Sequence, residues 1–285
     1  MSKTLKWMIN NKCNLKCPYC LVEDNTKELF FVDKLDIIDN AKDLGITHID
    51  FFGKEPLYDE TIFNLMAKYE KEFSYSFITN GVNLIKYKEK IIDNLSIIQF
   101  CVSYDGGFGE RSFTIDLEEL VPFTEAGIEV ELTIDIHNKT LDNLDSILSK
   151  INKFNFSFIN LNPILDFEGR GKEYLDIKKF EKVVDELLVS YRGNNDLMLS
   201  IPFGIPRLFK KYVGSINSRI YFFREECCTA GETEIFLDPL GNLYKCSNIY
   251  FKGKSSNINI ITSPNKDIKN FIKSTKRGKR LCQEY

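Results

Sequence analysis

The sequence predicts an α/β protein, a parallel sheet covered by helices and followed by a small tail of different character. Two observations carry this reading. Short runs rich in β-branched and aromatic residues alternate with segments of helical period from Thr4 to Tyr191, and parallel strands need such crossover connections. Past that point the alternation stops, and a hairpin signal lies between cysteines.

The elements follow in order. Thr4 to Ile9 is the first strand and ends in a cysteine-rich loop. From Val32 the period becomes helical, with Leu35, Ile38 and Ala41 on one face, Asp33 able to cap and Gly45 to stop it. Ile46–Phe52 is the second strand, and Asp59–Phe73 a helix with Ile62, Leu65, Met66 and Tyr69 on one side. Strand Tyr75–Ile78, helix Lys86–Leu95, strand Ile97–Ser103, helix Leu117–Ala126 and strand Ile128–Ile136 continue the alternation. Helix Leu141–Asn152, strand Phe156–Leu161 and helix Asp176–Tyr191 complete six strand–helix units. The last helix is the clearest, its stripe of Ile177, Phe180, Val184, Leu187, Leu188 and Tyr191 bounded by Asp176 and Gly193. Periodicity leaves open whether the sheet stays flat or curls into a barrel. Residues 193–226, with Pro202 and Pro206, read as a joint, giving a first domain over 1–201, a linker over 202–226 and a last domain over 227–285.

In the tail, Thr233–Leu237 and Leu243–Lys245 flank Asp238-Pro239-Leu240-Gly241-Asn242, a hairpin with sound turn chemistry. Cys228 precedes it and Cys246 follows it, so pairing of the strands would bring the two thiols together. A short helix over Asp267–Lys276 precedes Cys282.

Composition narrows the function classes. The chain has 285 residues, 43% hydrophobic and 28% charged, ample for a core. A net charge of −3 gives no electrostatic case for nucleic acid. The N-terminal MSKTLKWMIN has no apolar signal region, and no apolar run approaches the ~18 residues of a membrane span. Eight cysteines in a chain without a secretion signal point to metal or redox chemistry in the reducing cytoplasm. Three stand at 13, 17 and 20, four at 227, 228, 246 and 282, and Cys101 lies alone between them.

The polar residues that stand out fall at the carboxyl ends of strands, where parallel α/β folds bind ligands. After the first strand comes Cys13-Asn14-Leu15-Lys16-Cys17-Pro18-Tyr19-Cys20, three thiols in eight residues. After the second comes Gly53-Lys54-Glu55-Pro56, after the third Thr79-Asn80-Gly81, and after the fourth Ser103-Tyr104-Asp105-Gly106. Three thiols suit an iron–sulfur cube with one open iron, or a zinc site completed by a remote thiol such as Cys246.

With these motifs in place, the chain resembles the radical S-adenosylmethionine (SAM) superfamily, from residue 4 to about 200 in motif order. The resemblance implies a partial (β/α)6 TIM-like barrel. It implies that Cys13, Cys17 and Cys20 hold a [4Fe–4S] cluster whose fourth iron binds SAM, and that Tyr19 packs beside the adenine. Gly53 and Glu55 match the family's Gly-Gly-Glu-Pro motif, which meets the SAM amino group, with Lys54 in place of the second glycine. That departure bears on the local backbone fit. Thr79, Asn80, Ser103 and Asp105 match positions close to the ribose or carboxylate. Such a cluster, at about −400 mV or below, delivers an electron into the sulfonium of SAM and yields a 5′-deoxyadenosyl radical. An electron donor such as flavodoxin or ferredoxin is then expected.

The tail resembles the SPASM extension or its short form, Twitch, as a hairpin-plus-helix domain with one auxiliary [4Fe–4S] cluster. Cys228, Cys246 and Cys282 fit that pattern, and Tyr285 stands where the short form ends in a second cysteine. The fourth ligand is then Cys227, a non-cysteine group or the substrate, unless the extension has kept its fold and lost its cluster. Ser247 replaces the aspartate that serves as base in sulfatase-maturing relatives, which argues against that activity.

Other residues have plainer readings. Cys101 shares the parity of Ser103 and packs as a small apolar residue or donates hydrogen to a substrate radical. His48 and His137 are read as packing residues, Gly106-Gly107-Phe108-Gly109 as a turn, and Lys273–Arg280 as a solvated face able to attract an acidic leader peptide. No peptide-binding domain is expected ahead of the first strand.

The expected function is a radical SAM enzyme that forms a thioether or carbon–carbon crosslink in a peptide. The alternatives are a dehydrogenase or epimerase acting on a small molecule or single residue, and a non-catalytic iron–sulfur or zinc protein.

Overall fold

The computed structural model describes residues 3–20, 29–58, 60–109, 111–164, 175–200, 211, 217–223, 231, 233–251 and 253–274. They form one sheet of ten strands flanked by helices. The strands are β1 (Thr4–Met8), β2 (His48–Phe52), β3 (Ser74–Thr79), β4 (Ile97–Ser103), β5 (Glu129–Ile136) and β6 (Phe158–Pro163). They continue with β7 (Leu197–Ser200), β8 (Ile220–Phe223), β9 (Glu234–Leu237) and β10 (Leu243–Tyr244). Strands β1 to β8 lie side by side in chain order, each parallel to the next, and β9 joins the free edge of β1, also parallel. Strand β10 completes the hairpin antiparallel to β9. Among the described residues no pairing joins β8 to β10, so their sheet is open by hydrogen bonding.

The helices are α1 (Phe31–Asp43), α2 (Thr61–Lys68), α3 (Lys88–Ile92), α4 (Val121–Glu125), α5 (Asn138–Asp142), α6 (Leu144–Ile151), α7 (Ile177–Ser190), α8 (Ser247–Phe251) and α9 (Asn265–Lys273). Three of the expected helices are altered for identifiable reasons. Pro122 has no N–H to donate, so the expected helix over 117–126 splits into a 3-10 turn at Leu117–Leu120 and a restart as α4. Asn143, with φ −116° and ψ 10°, breaks the helix expected over 141–152 into α5 and α6. The expected helix over 59–73 is shortened to α2 because the backbone leaves the helical region at Tyr69 (φ −121°, ψ 26°). Helix α7 matches closely, and Asp176 caps it by accepting from the N–H groups of Lys178 (2.9 Å) and Lys179 (3.2 Å).

The stretch expected as a joint supplies β7 and β8 to the same sheet. Four-residue strands give little periodicity to read, and side chains fix this one. Asn195 accepts from the Phe156 N–H (2.7 Å) and donates to the Phe154 carbonyl (3.1 Å), while Tyr191 Oη donates to the Asn195 carbonyl (2.8 Å). The tail hairpin forms as expected. Asp238 Oδ1 accepts from the N–H groups of Leu240 and Asn242, both at 2.9 Å. Its surroundings belong to the main core, where Ile260, Ile268 and Ile272 join the cluster that includes Leu5 and Trp7.

Alternation along the strands gives the sheet two unlike faces. Leu5, Trp7, Phe51, Phe77, Phe100 and Leu132 point to the helices and are buried. Phe100 stacks on Phe77 (centroids 5.2 Å apart) and meets Phe123 of α4 edge-on at 5.1 Å. The inner face carries Lys6, Asp50, Gln99, Cys101, Glu131 and Asn160 at the intervening positions. No helix among the described residues is long and apolar enough to cross a membrane.

Candidate active site

Two groups of polar residues gather at the carboxyl ends of the strands. The first joins β1, β2 and β3. Gly53, after β2, has φ 138°, and a Cβ there would lie 3.0 Å from the Asn10 carbonyl oxygen and 3.1 Å from Met8 Cγ. Only glycine fits so close to β1. Lys54, which stands at the position of the family's second glycine, needs no such freedom, since no described residue other than glycine has positive φ. Glu55 is completely buried. Its Oε1 accepts from Thr79 Oγ1 (2.8 Å) and the Leu57 N–H (3.0 Å), and its Oε2 from the Asn80 N–H (2.7 Å). Burial pushes its carboxyl above the ordinary carboxylate range, against those three donors. A carboxylate offers about four acceptor directions, so Oε2 retains one.

Asn80 links this group to the cysteine loop. Its Nδ2 donates to Asn14 Oδ1 (2.7 Å) and lies 3.5 Å from Cys13 Sγ, which also receives the Leu15 N–H at 3.3 Å. Cys13, Cys17 and Cys20 stand on a single loop, with the Cys20 N–H bonded to the Cys17 carbonyl at 3.1 Å. Burial pushes both the Cys13 and the Cys17 thiols up, and each feels the charge of its neighbours on the loop. Soft sulfur donors grouped on one loop, with N–H groups already aimed at one of them, fit an iron–sulfur cluster. Among the described residues, no three His, Cys, Asp or Glu side chains converge as the ligands of one metal ion would. A cube gives each thiolate its own iron and so spreads its ligands wider than one ion does.

The second group joins the cysteine loop to β5 and β6. Tyr19 is buried, its hydroxyl accepts from Arg111 Nε (2.9 Å), and its ring lies 5.8 Å from that of His137. Arg111 Nη2 donates to Asp135 Oδ2 (2.5 Å), and Asn162 Nδ2 donates to Asp135 Oδ1 (3.1 Å). Burial opposes the charge of Arg111, but Asp135, Tyr19 and Cys17 together hold its pKa above the ordinary value.

The remaining expected residues are placed as follows. Ser103 ends β4 in register with Thr133. Asp105 is buried and turned into its own loop, where Oδ1 accepts from Thr114 Oγ1 (2.5 Å) and the Gly107 N–H (3.0 Å). Gly106 and Gly107, both at positive φ, form the expected turn. Cys101 is buried with Sγ 3.0 Å from Thr133 Oγ1, and burial pushes its thiol up to about 12, so it stays protonated at neutral pH. His137 is buried, and His48 bridges Ser74 and Ser76, both contacts at 2.9 Å. Cys246 packs among Met8, Phe236 and Tyr244 beside the inner face, whereas Cys227, Cys228 and Cys282 lie outside the described residues. Arg111, Asp135, Asn10 and Asn162 belong to the site without having been singled out in the sequence. No motif spacing marks them, and only the order of strand ends would have drawn attention to Asp135.

Residues 7–108 match the profile of the Radical SAM superfamily. A GTP 3′,8-cyclase of Clostridium perfringens is 25% identical over 266 residues, 85% of this chain and 79% of that protein. A PqqA peptide cyclase of Granulibacter bethesdensis is 28% identical over 156 residues, 49% of this chain and 41% of its own length. Among solved structures, Streptococcus suis SuiB bound to precursor peptide SuiA superposes with a TM-score of 0.69 at 18% identity, over 94% of this chain and 64% of SuiB. The chain thus spans just under two thirds of SuiB. Native anSMEcpe with bound AdoMet gives a TM-score of 0.65 at 16% identity, over 95% of this chain and 81% of that one. These likenesses establish an α/β fold of the partial-barrel kind. Cysteine loop, strand-end polar groups and sequence match coincide, and residues 7–108 of this chain are a radical SAM domain.

Proposed function

We propose that the chain is a radical SAM enzyme that modifies a peptide, forming a thioether or carbon–carbon crosslink. Cys13, Cys17 and Cys20 would hold a [4Fe–4S] cluster, which when bound with SAM supplies a strong hydrogen-abstracting group. The chain's own residues position and shield. Glu55 Oε2, with one acceptor direction left, would take the SAM ammonium, and Asn80 would order the cysteine loop against it. Gly53, Thr79, Ser103 and Asp105 would shape the pocket for ribose and carboxylate, and Tyr19 would border the adenine. Buried side chains such as Glu55 and Tyr19 would help keep water from the reacting groups. A low-potential donor such as flavodoxin or ferredoxin in the cytoplasm would reduce the site. Cys246, with Cys228, Cys282 and Cys227 or another group, would serve an auxiliary cluster in a SPASM- or Twitch-like tail.

The observation that carries the peptide reading is the inner face of the sheet. Gln99 Nε2 donates to Glu131 Oε1 (2.5 Å) and Asn160 Nδ2 to Glu131 Oε2 (3.1 Å), beside Thr133, Asp135 and Asn162. Amides and carboxylates in a row complement the donors and acceptors of a peptide backbone. SuiB, whose fold this chain shares, is described with a bound precursor peptide.

A second reading, a nucleotide cyclase, is favoured by the similarity to the GTP 3′,8-cyclase over 85% of this chain. A triphosphate wants unpaired cations. Lys6 and Arg111, which β1 and the β4–β5 connection bring to this side, are already paired with Glu234 (3.3 Å) and Asp135 (2.5 Å). That pairing weighs against GTP.

The deciding experiment is an anaerobic incubation of reconstituted enzyme, SAM and dithionite with either GTP or a peptide encoded beside the gene. The peptide should lose two hydrogens in mass while GTP is returned unchanged. Cyclised GTP with an untouched peptide would overturn the reading. A peptide whose mass is unchanged in ordinary water but which takes up deuterium when the reaction is run in heavy water would favour an epimerase, with the protonated Cys101 as hydrogen donor.

A further inference from the structure

One buried ion pair stands between the cysteine loop and the strand ends. Arg111 follows the turn at Gly106 and Gly107, and its side chain is only 6% exposed, that of Asp135 13%. Its guanidinium uses two prongs, Nε to the Tyr19 hydroxyl (2.9 Å) and Nη2 to Asp135 Oδ2 (2.5 Å). Asn162 steadies the other oxygen of Asp135 at 3.1 Å. The contacts therefore run from the middle of the cysteine loop to the ends of β5 and β6. The centre of the guanidinium lies 6.0 Å from the centroid of the Tyr19 ring, so the positive charge stands against the middle of the cysteine loop. A buried ion pair is a weak source of stability, because desolvating both charges offsets most of their attraction. Its location suggests another use.

We propose that Arg111 is a positioning residue for the cysteine loop, fixing Tyr19 against the β5–β6 rim and holding a permanent cation against that loop. Arginine suits both tasks, since lysine cannot serve two divergent acceptors with a planar fork. A fixed cation next to a group that gains an electron favours the reduced form. Arg111 thus makes a cluster held by this loop easier to reduce. The inference rests on the radical SAM domain and on the loop's three thiols as ligands, and it is independent of the substrate.

The test uses the full chain reconstituted anaerobically, with iron content and the reduced fraction of the cluster read by electron paramagnetic resonance at one fixed ambient potential. In Arg111→Gln the ratio of reduced to oxidised cluster should fall about tenfold. Arg111→Lys should restore the ratio while taking up less iron, because one prong is lost. Tyr19→Phe, which keeps the cation, should leave the ratio at the wild-type value. Wild-type iron content and ratio in Arg111→Gln would overturn the proposal. Should that variant fail to fold by circular dichroism, Asp135→Asn decides. It strips the guanidinium of its counter-charge, so the ratio should rise, and an unchanged ratio overturns the proposal. A wild-type chain that takes up no iron would defeat this inference together with the assignment of the cluster. Failure of the inference alone would leave the wild-type titration intact.

Discussion

The helix-covered face and the inner face belong to the same strands yet follow opposite rules. At Phe100, Val102, Leu132 and Ile134 the sheet meets helices with apolar side chains. One residue along, at Gln99, Cys101, Glu131 and Thr133, it presents amides, a thiol, a carboxylate and a hydroxyl. Parallel sheets usually bury apolar residues on both sides. Here one face builds the fold, and the other holds polar groups whose burial would cost stability without the hydrogen bonds they make to one another.

Substitutions can separate the two. Phe100→Ala removes the ring stacked between Phe77 and Phe123 and should cost about 3–5 kcal/mol in urea denaturation. Asn160→Ala, across the sheet, should cost no more than about 1 kcal/mol while reducing turnover of the peptide several-fold. Equal losses of stability would erase the distinction.

Gly53→Ala probes the edge where the faces meet. A methyl at φ 138°, 3.0 Å from the Asn10 carbonyl oxygen, should destabilise by about 1–3 kcal/mol. It should also weaken SAM binding in equilibrium dialysis, because Asn10 Nδ2 donates to the Glu55 carbonyl (2.9 Å) and shares in any shift. Unchanged SAM affinity would detach Gly53 from the site.

The smallest effect concerns pH. Burial raises the carboxyl of Glu131 above its ordinary value of 4.5, against the donors Asn160 and Gln99. The stability this contributes is fully present below 4.5 and is lost as pH rises through the higher folded value. Glu131→Gln has no such loss. The melting temperature of the wild type relative to this variant should therefore fall as pH rises from 4.5 through the higher folded value. A constant difference would mean that Glu131 is not perturbed by its place on the inner face.

Much of this contrast was legible in the sequence. β-Branched and aromatic runs located β1 to β6, because each of these strands carries enough apolar residues to show its pattern. The limits of β4, Ile97–Ser103, agree residue for residue. Strand β7 was not legible, since four residues held by Asn195 and Tyr191 leave no periodic signature. The parallel pairing of β9 with β1 joins segments some 230 residues apart, and local pattern carries no information on such partners. At the site, the thiols, Glu55 and Asn80 stood out through their positions at strand ends. Arg111 did not, because its role depends on Tyr19 and Asp135, which only the fold brings together.

On the proposed function, the loop of Cys13, Cys17 and Cys20 makes the inner face a SAM-cleaving site. Its most direct measurement is methionine and 5′-deoxyadenosine released from SAM by anaerobically reconstituted enzyme under dithionite, wild type beside Cys13→Ala. The wild type should release both products and the variant neither. A colourless, zinc-loaded wild type that leaves SAM intact, or cleavage undiminished in Cys13→Ala, would contradict it.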